Sequence, residues 1–220
     1  MTLEELMRRA RLWRAGEVSA EGGLSTGFDA LDAMLPGGGW PHPGLIEILA
    51  SRPGIGALRL LLPALAALGR RQQWLIWVAP PYLPNAPAME AAGLELSRVL
   101  LIDVDAASAT GAAARRPTRR QQTAAEREFW AFEQALRFMD AGAALYWPGT
   151  LAPLALRRLQ LACEAGGSLG VLFRSPDCAG QASPAALRLL LSPVAGSTEV
   201  TVQVLKCRGS LQTRECRLAL

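Results

Sequence analysis

The sequence predicts an α/β fold in which a mostly parallel, twisted sheet is flanked by helices and ends in antiparallel strands at its C-terminal edge. Residues 45–49 predict a buried strand, and residues 74–78 are a continuous apolar run, which is typical of a parallel strand covered on both faces. Segments with helical periodicity alternate with these runs, as in consecutive βαβ units. Residues 199–206 instead alternate between apolar and polar side chains, and this pattern predicts a half-exposed strand beside a last strand at 214–220.

Composition limits the class of protein. The chain has 220 residues, of which 50% are hydrophobic and 19% charged, as expected for one globular domain with a short extension. No apolar run approaches the roughly 20 residues that span a bilayer, and the charged N-terminus does not resemble a signal peptide. These features predict a cytoplasmic protein that does not bind membranes.

The N-terminal part is predicted to be a separate segment. Residues 2–15 have apolar side chains at helical spacing, and glycines then open a linker, so we assign residues 1–23 to an arm and residues 24–220 to the core domain. Ser25 or Thr26 is placed to cap a short helix. Trp40 lies in a Gly/Pro-rich loop and is predicted to be exposed.

The remaining elements follow in order along the chain. We predict helices at residues 58–68, 89–93, 123–140 and 151–165, and strands at 99–104, 143–147, 168–173 and 185–191. Phe129, Phe132, Leu136 and Met139 should share one face of the third helix. Residues 105–123 are rich in small residues and arginine and predict a mobile, basic loop.

A nucleotide-binding loop is expected after the first long strand, but its chemical groups are missing. A P-loop has the pattern G-x-x-x-x-G-K-[ST]. Here Gly56 matches the second glycine, whereas Ser51, Ala57 and Leu58 replace the first glycine, the lysine and the hydroxyl residue. An alanine cannot reach a phosphate and a leucine cannot bind Mg²⁺. We call residues 51–58 the degenerate loop; Arg52 and Gly54 complete its candidate residues.

Three spaced segments carry a resemblance to a known superfamily. Residues 25–32 (STGFDALD), 37–41 (GGGWP) and 44–48 (GLIEI) resemble the opening of a RecA core, in which a helix and a turn lead into the P-loop strand. Within that superfamily the chain is similar to the ImuA family, RecA-like proteins associated with mutagenic translesion DNA synthesis in the SOS response to DNA damage. The resemblance implies a RecA-like P-loop NTPase core in a nucleoid-associated protein.

The chain departs from RecA at every catalytic position. The strand that ends at Val78 is followed by Ala79 and Pro80 without the glutamate that would orient water. The strand through Trp147 ends at Pro148, where an aspartate would hold Mg²⁺. Phosphoryl transfer depends on positioning and on neutralising phosphate charge. We therefore expect no ATP hydrolysis, no cofactor and no metal site. The degenerate loop should be a structural turn rather than a residual anion site at a helix N-terminus.

The resemblance also implies partners and contact residues. The expected partners are RecA, an ImuB-like inactive homologue of Y-family polymerases and an error-prone replicative-type DNA polymerase, with DNA and a second copy of the chain left open. Leu6, Leu12 and Trp13 are the candidate docking residues of the N-terminal arm. Candidate DNA contacts are the four arginines of the basic loop and three cations near the sheet, namely Arg115, Arg116, Arg119, Arg120, Arg174, Lys206 and Arg208.

Two other functions are considered. One is a division inhibitor of the SulA type, a related degenerate RecA-like protein that binds FtsZ. The other is an ATPase with an unusual site, which the three losses disfavour. The four cysteines lack metal-ligand spacing, and the single histidine, His42, has no carboxylate or cysteine near it in sequence. Neither pattern supports a metal centre or a nucleophilic triad.

Overall fold

The computed structural model describes residues 23–52, 54–104, 123–210 and 213–220. The N-terminal arm with its three docking candidates and the four arginines of the basic loop lie outside these residues. No helix within the described part of the chain is long and apolar enough to cross a membrane.

Eight strands form one sheet. Their bounds are β1 Gly44–Ala50, β2 Trp74–Val78, β3 Val99–Ile102, β4 Ala141–Tyr146, β5 Leu169–Arg174, β6 Leu187–Pro193, β7 Glu199–Cys207 and β8 Arg214–Ala219. The strand order is β3-β2-β4-β5-β1-β6-β7-β8. All pairs from β3 to β6 are parallel, and β7 and β8 are added antiparallel. The predicted fold class is therefore confirmed.

Five α-helices accompany the strands in the described residues. They are α1 Asp29–Asp32, α2 Leu62–Arg70, α3 Ala86–Ala91, α4 Ala124–Arg137 and α5 Pro153–Gly166. The start of α4 is set by a capping box, because the Thr123 side chain accepts from the Glu126 N–H and the Glu126 carboxylate accepts from the Thr123 N–H. Gly167, at a φ of 72°, ends α5 in the left-handed conformation.

Helices cover both faces of the sheet. Leu65 and Leu68 of α2 pack in the larger apolar core, on the face that carries Ile46 and Ile48 of β1. On the opposite face, α4 and α5 enclose the second core, in which Phe132 packs near Leu45. The strands between them are buried on both sides, which explains why their sequences are apolar without alternation.

Several local predictions were wrong. Trp40 is fully buried, because its backbone pairs with Leu24 and its ring enters the larger core. Neither predicted residue caps α1 with its side chain; instead, the Asp32 carboxylate accepts bonds from Ser25 Oγ at 2.8 Å and the Thr26 N–H at 2.9 Å. Met139 lies beyond the end of α4 and is 74% exposed, so it does not share the buried face.

Candidate functional site

The degenerate loop follows β1 at the carboxyl end of the parallel strands. Ser51, Arg52 and Gly54 are exposed, whereas Ala57 and Leu58 are half-buried and pack against the larger core. The two residues that replace the lysine and the hydroxyl of a P-loop therefore serve as packing residues in this structure. Their side chains contribute apolar surface to the core and no charge or metal ligand.

The helix after the loop begins later than predicted. Helix α2 starts at Leu62, with Pro63 in its first turn, and not at residue 58. Hydrogen-bonded turns occupy the intervening residues, with the Leu60 N–H donating to the Gly56 carbonyl and the Leu61 N–H to the Leu58 carbonyl. Proline is favoured at the start of a helix because it has no N–H to satisfy there. The degenerate loop thus leads into a turn, and the regular helix comes four residues later than expected.

The last residue of the sequence lies against the degenerate loop. A Cβ on Gly56 would come within 2.8 Å of Leu220 Cδ1, and Gly56 itself has a φ of 104°. Arg59 Nη1 also donates to the Leu220 carbonyl oxygen at 3.0 Å. The space beside the second glycine of the motif is therefore occupied by an apolar side chain of the same chain.

Aromatic rings occupy the ends of β4 and β5. The Trp147 ring, directly after β4, stacks on Phe173 with centroids 4.5 Å apart and an interplanar angle of 9°. Trp77 of β2 approaches the same indole at 6.1 Å with a tilted geometry. Such offset and tilted pairs are favourable arrangements for aromatic side chains. By the RecA resemblance a metal-holding aspartate would stand at position 148, and in this chain that position is Pro148, directly after the stacked Trp147.

A buried charge cluster lies beside β1, on the face of the sheet covered by α4 and α5. Glu47 Oε2 is 3.1 Å from both Arg174 Nη1 and Arg188 Nε. The side chains of Glu47 and Arg174 are fully buried, and that of Arg188 is 6% exposed. Ser183 Oγ also donates to Glu47. We call these four residues the Glu47 cluster.

The Glu47 cluster fixes the loop between β5 and β6. Arg188 donates to the carbonyl oxygens of residues 178, 179 and 181, and Arg174 Nη2 donates to Gln181 Oε1 at 3.1 Å. The interpretation of Arg174 as a DNA contact is therefore wrong for this structure, because its guanidinium is buried against Glu47. Sequence reasoning missed Glu47 and Arg188, although a glutamate within an otherwise apolar strand was a visible signal of a buried ion pair.

The other two described DNA candidates are exposed but engaged. Lys206 Nζ donates to the Ser183 carbonyl oxygen. The pKa of Lys206 is lowered by desolvation, then by the charges of Arg208 and Arg188. Arg208 Nη1 is 3.7 Å from Glu164 Oε1. These cations lie beside the Glu47 cluster, and the structure therefore brings Arg174, Lys206 and Arg208 to one region without making them a single open surface.

An apolar groove, which the sequence did not predict, runs along the β3 edge of the sheet. It has a volume of about 540 Å³ and lies between β2, β3 and α4, where it is lined by Trp74, Ile76, Leu100, Ile102, Trp130, Ala131, Gln134, Ala135 and Phe138. Trp130 is 60% exposed. Strand β3 pairs only with β2, so its outer backbone edge is open in the described part of the chain. An exposed apolar surface of this kind is typical of interaction sites.

Comparison with known proteins gives four findings. No family model matches the chain. The curated cell division inhibitor SulA of Edwardsiella piscicida is 26% identical over 138 residues, which span 62% of this chain and 71% of that protein. Among solved structures, SulA from Pseudomonas aeruginosa is 24% identical, with a TM-score of 0.40, over 59% of this chain and 97% of that one.

The structure of the RadB recombinase covers more of the fold. It matches 88% of this chain and 94% of its own length with a TM-score of 0.62, at 14% sequence identity. At this identity the likeness concerns the arrangement of strands and helices. It agrees with the strand order above and with the resemblance of the opening segments. The chain has the RecA-like recombinase fold.

Proposed function

We propose that this protein is a non-catalytic RecA-like accessory of DNA damage tolerance that supports mutagenic translesion synthesis through contacts with other proteins. The observation that carries the proposal is that the chain keeps the RecA-like fold but lacks the residues that would bind phosphate and Mg²⁺. Ala57 and Leu58 pack against the core, and Pro148 stands where a metal-holding acid is expected, directly after Trp147, which stacks on Phe173. A fold in which these residues serve packing can still bind other proteins through its surface.

Hydrolysis should be absent because each group that stabilises phosphoryl transfer is missing. The test is ATP turnover by the purified protein, with and without DNA, compared with Gly56→Ala and Arg52→Ala variants. We expect the same background rate in all three proteins. Turnover by the wild type that either substitution abolishes would contradict the non-catalytic proposal.

Partner contacts can be tested by pull-down of RecA and of an ImuB-like polymerase homologue. The apolar groove supplies a variant for this purpose, since Trp130→Glu places a charge on a side chain that is 60% exposed. Leu154→Glu is the matched control, because Leu154 is 72% exposed on α5, away from the groove. We expect wild-type protein and the control to retain a partner that the Trp130 variant loses. If the wild type retains neither partner, the proposal fails.

Direct DNA contact is proposed for the basic loop. Each arginine that neutralises a phosphate releases counterions and steepens the dependence of affinity on salt. Replacing the four arginines with alanine should weaken binding to single-stranded DNA and flatten its salt slope; the substituted residues are Arg115, Arg116, Arg119 and Arg120. Absence of DNA binding by the wild type at low salt would remove DNA from the proposed contacts.

A second candidate function is inhibition of cell division. It is favoured by the match to the SulA of Edwardsiella piscicida over 138 residues. Under this alternative, overexpression would produce filamentous cells and the purified protein would block FtsZ assembly. Filamentation with normal assembly of FtsZ in vitro would instead agree with a DNA damage response upstream of division.

A further inference from the structure

A basic pocket lies at the end of the sheet opposite to the degenerate loop. It is formed where the chain enters β1 and where α2 ends before β2, and its volume is about 580 Å³. Its lining includes Ser25, His42, Ala67, Arg70 and Arg71. Small-molecule sites typically have volumes of about 300–1,000 Å³, so the basic pocket has room for a metabolite.

Two arginines give the basic pocket its charge. Arg70 and Arg71 are exposed, and within the described ranges neither guanidinium has a carboxylate or a hydrogen-bond acceptor as partner. Asp32 contacts the lining residue Ser25, but its carboxylate already accepts bonds from the Ser25 hydroxyl and the Thr26 N–H. Two adjacent guanidiniums without counter-charges suit a phosphate, which arginine binds by charge-assisted hydrogen bonds.

His42 supplies a different recognition group. Its Nε2 atom is buried and has no hydrogen-bond partner in the described part of the chain. Burial lowers the pKa of His42; the Gly142 backbone bond raises it and the Arg71 charge lowers it further. A neutral imidazole has one nitrogen that donates and one that accepts a hydrogen bond. A buried acceptor without a partner is costly, and a ligand hydroxyl would satisfy it.

We propose that the basic pocket binds a small phosphate monoester that also carries a hydroxyl group. Arg70 and Arg71 hold the phosphate, and His42 Nε2 accepts a hydrogen bond from the hydroxyl. This site is independent of the proposed contacts with RecA, with the polymerase homologue and with DNA, and it uses the end of the sheet that the RecA resemblance does not assign to nucleotide.

Calorimetric titration of the full chain with ribose 5-phosphate tests the charge requirement. We expect binding by the wild type, and a loss of about tenfold in affinity for each of Arg70→Ala and Arg71→Ala, since hydrogen bonds to charged groups are the strong ones. Arg157→Ala and Arg217→Ala are matched controls, because both arginines are exposed elsewhere on the surface. Equal losses in the controls would indicate unspecific attraction and overturn the proposal.

The hydroxyl requirement needs a second comparison. His42→Gln should lower the affinity for ribose 5-phosphate while leaving that for inorganic phosphate unchanged. Ala67→Phe should abolish both by filling the basic pocket while keeping its charges; circular dichroism checks that each variant is folded. Failure of the wild type to bind ribose 5-phosphate overturns the proposal. Binding of a 5′-phosphorylated trinucleotide without binding of ribose 5-phosphate would also overturn it, because the pocket would then recognise the ends of nucleic-acid strands.

Discussion

Replacement of Glu47 by glutamine should be among the most destabilising single changes in this protein. The substitution keeps the size and shape of the side chain and removes its charge. Glu47 lies in β1 with its side chain fully buried, and one carboxylate oxygen is 3.1 Å from both Arg174 and Arg188. The variant would leave two guanidiniums, 0% and 6% exposed, without a counter-charge.

The magnitude follows from this burial. Removing one partner of a buried ion pair costs about 3–5 kcal/mol, because the remaining charge stays desolvated. A domain of ordinary stability has about 5–15 kcal/mol in total, so the variant would lose a large fraction of it. For a chain of about this length, 1 kcal/mol corresponds to about 2–4 °C in Tm. We therefore expect Tm to fall by about 6–20 °C.

Glu133→Gln is the matched control for the Glu47 variant. Glu133 also contacts two arginines, but the side chains of Arg137 and Arg158 are 45% and 55% exposed. Water can solvate these arginines after the change, so the loss should be below about 1 kcal/mol. Urea unfolding followed by circular dichroism gives both free energies. If Glu47→Gln costs no more than Glu133→Gln, the reasoning from burial is refuted.

Three further predictions concern other parts of the molecule. Burial raises the pKa of the Cys163 thiol to about 12, so iodoacetamide should modify the more accessible Cys178 in the native protein and Cys163 only after unfolding, as measured by mass spectrometry. Gly56→Ala should destabilise more than Gly54→Ala in urea unfolding; both glycines have positive φ, but only a Cβ on Gly56 meets another side chain. Burial lowers the pKa of His42 below 6.5 in the folded state. The neutral imidazole therefore contributes fully to stability above about pH 6.5, and this contribution is lost as the pH falls through the folded-state pKa. His42→Gln should reduce the dependence of the unfolding free energy on pH, measured between about pH 5 and pH 8.

Much of the architecture could be predicted from the sequence because its signals are local. The apolar run 74–78 coincides with β2, and the alternation at 199–206 falls within β7. Thr123 was the predicted start of a helix and is the N-cap of α4. Periodicity and capping depend on residues a few positions apart, so these features can be read without knowledge of the fold.

The candidate site was predicted only in part. The missing P-loop groups were visible in the sequence as Ala57 and Leu58, because a motif compares residues at fixed spacing. The aromatic stacking beside the position of the missing acid could not be predicted from the sequence. Trp147 directly follows β4 and Phe173 lies in β5, so their stacking depends on the pairing of β4 with β5. The apolar groove likewise requires α4 to lie over the edge strands.

The sequence by itself determined the order of strands and helices and the absence of lysine, hydroxyl and acid from the nucleotide-binding positions. Tertiary structure alone decided which polar groups are buried and which face solvent. Arg174 looked like a free cation in a loop, yet it pairs with Glu47, 127 positions earlier in the chain. Trp40 looked exposed among glycines and prolines, yet it is buried. Charge pairing and burial depend on the register of strands distant in sequence, and short-range patterns do not encode that register.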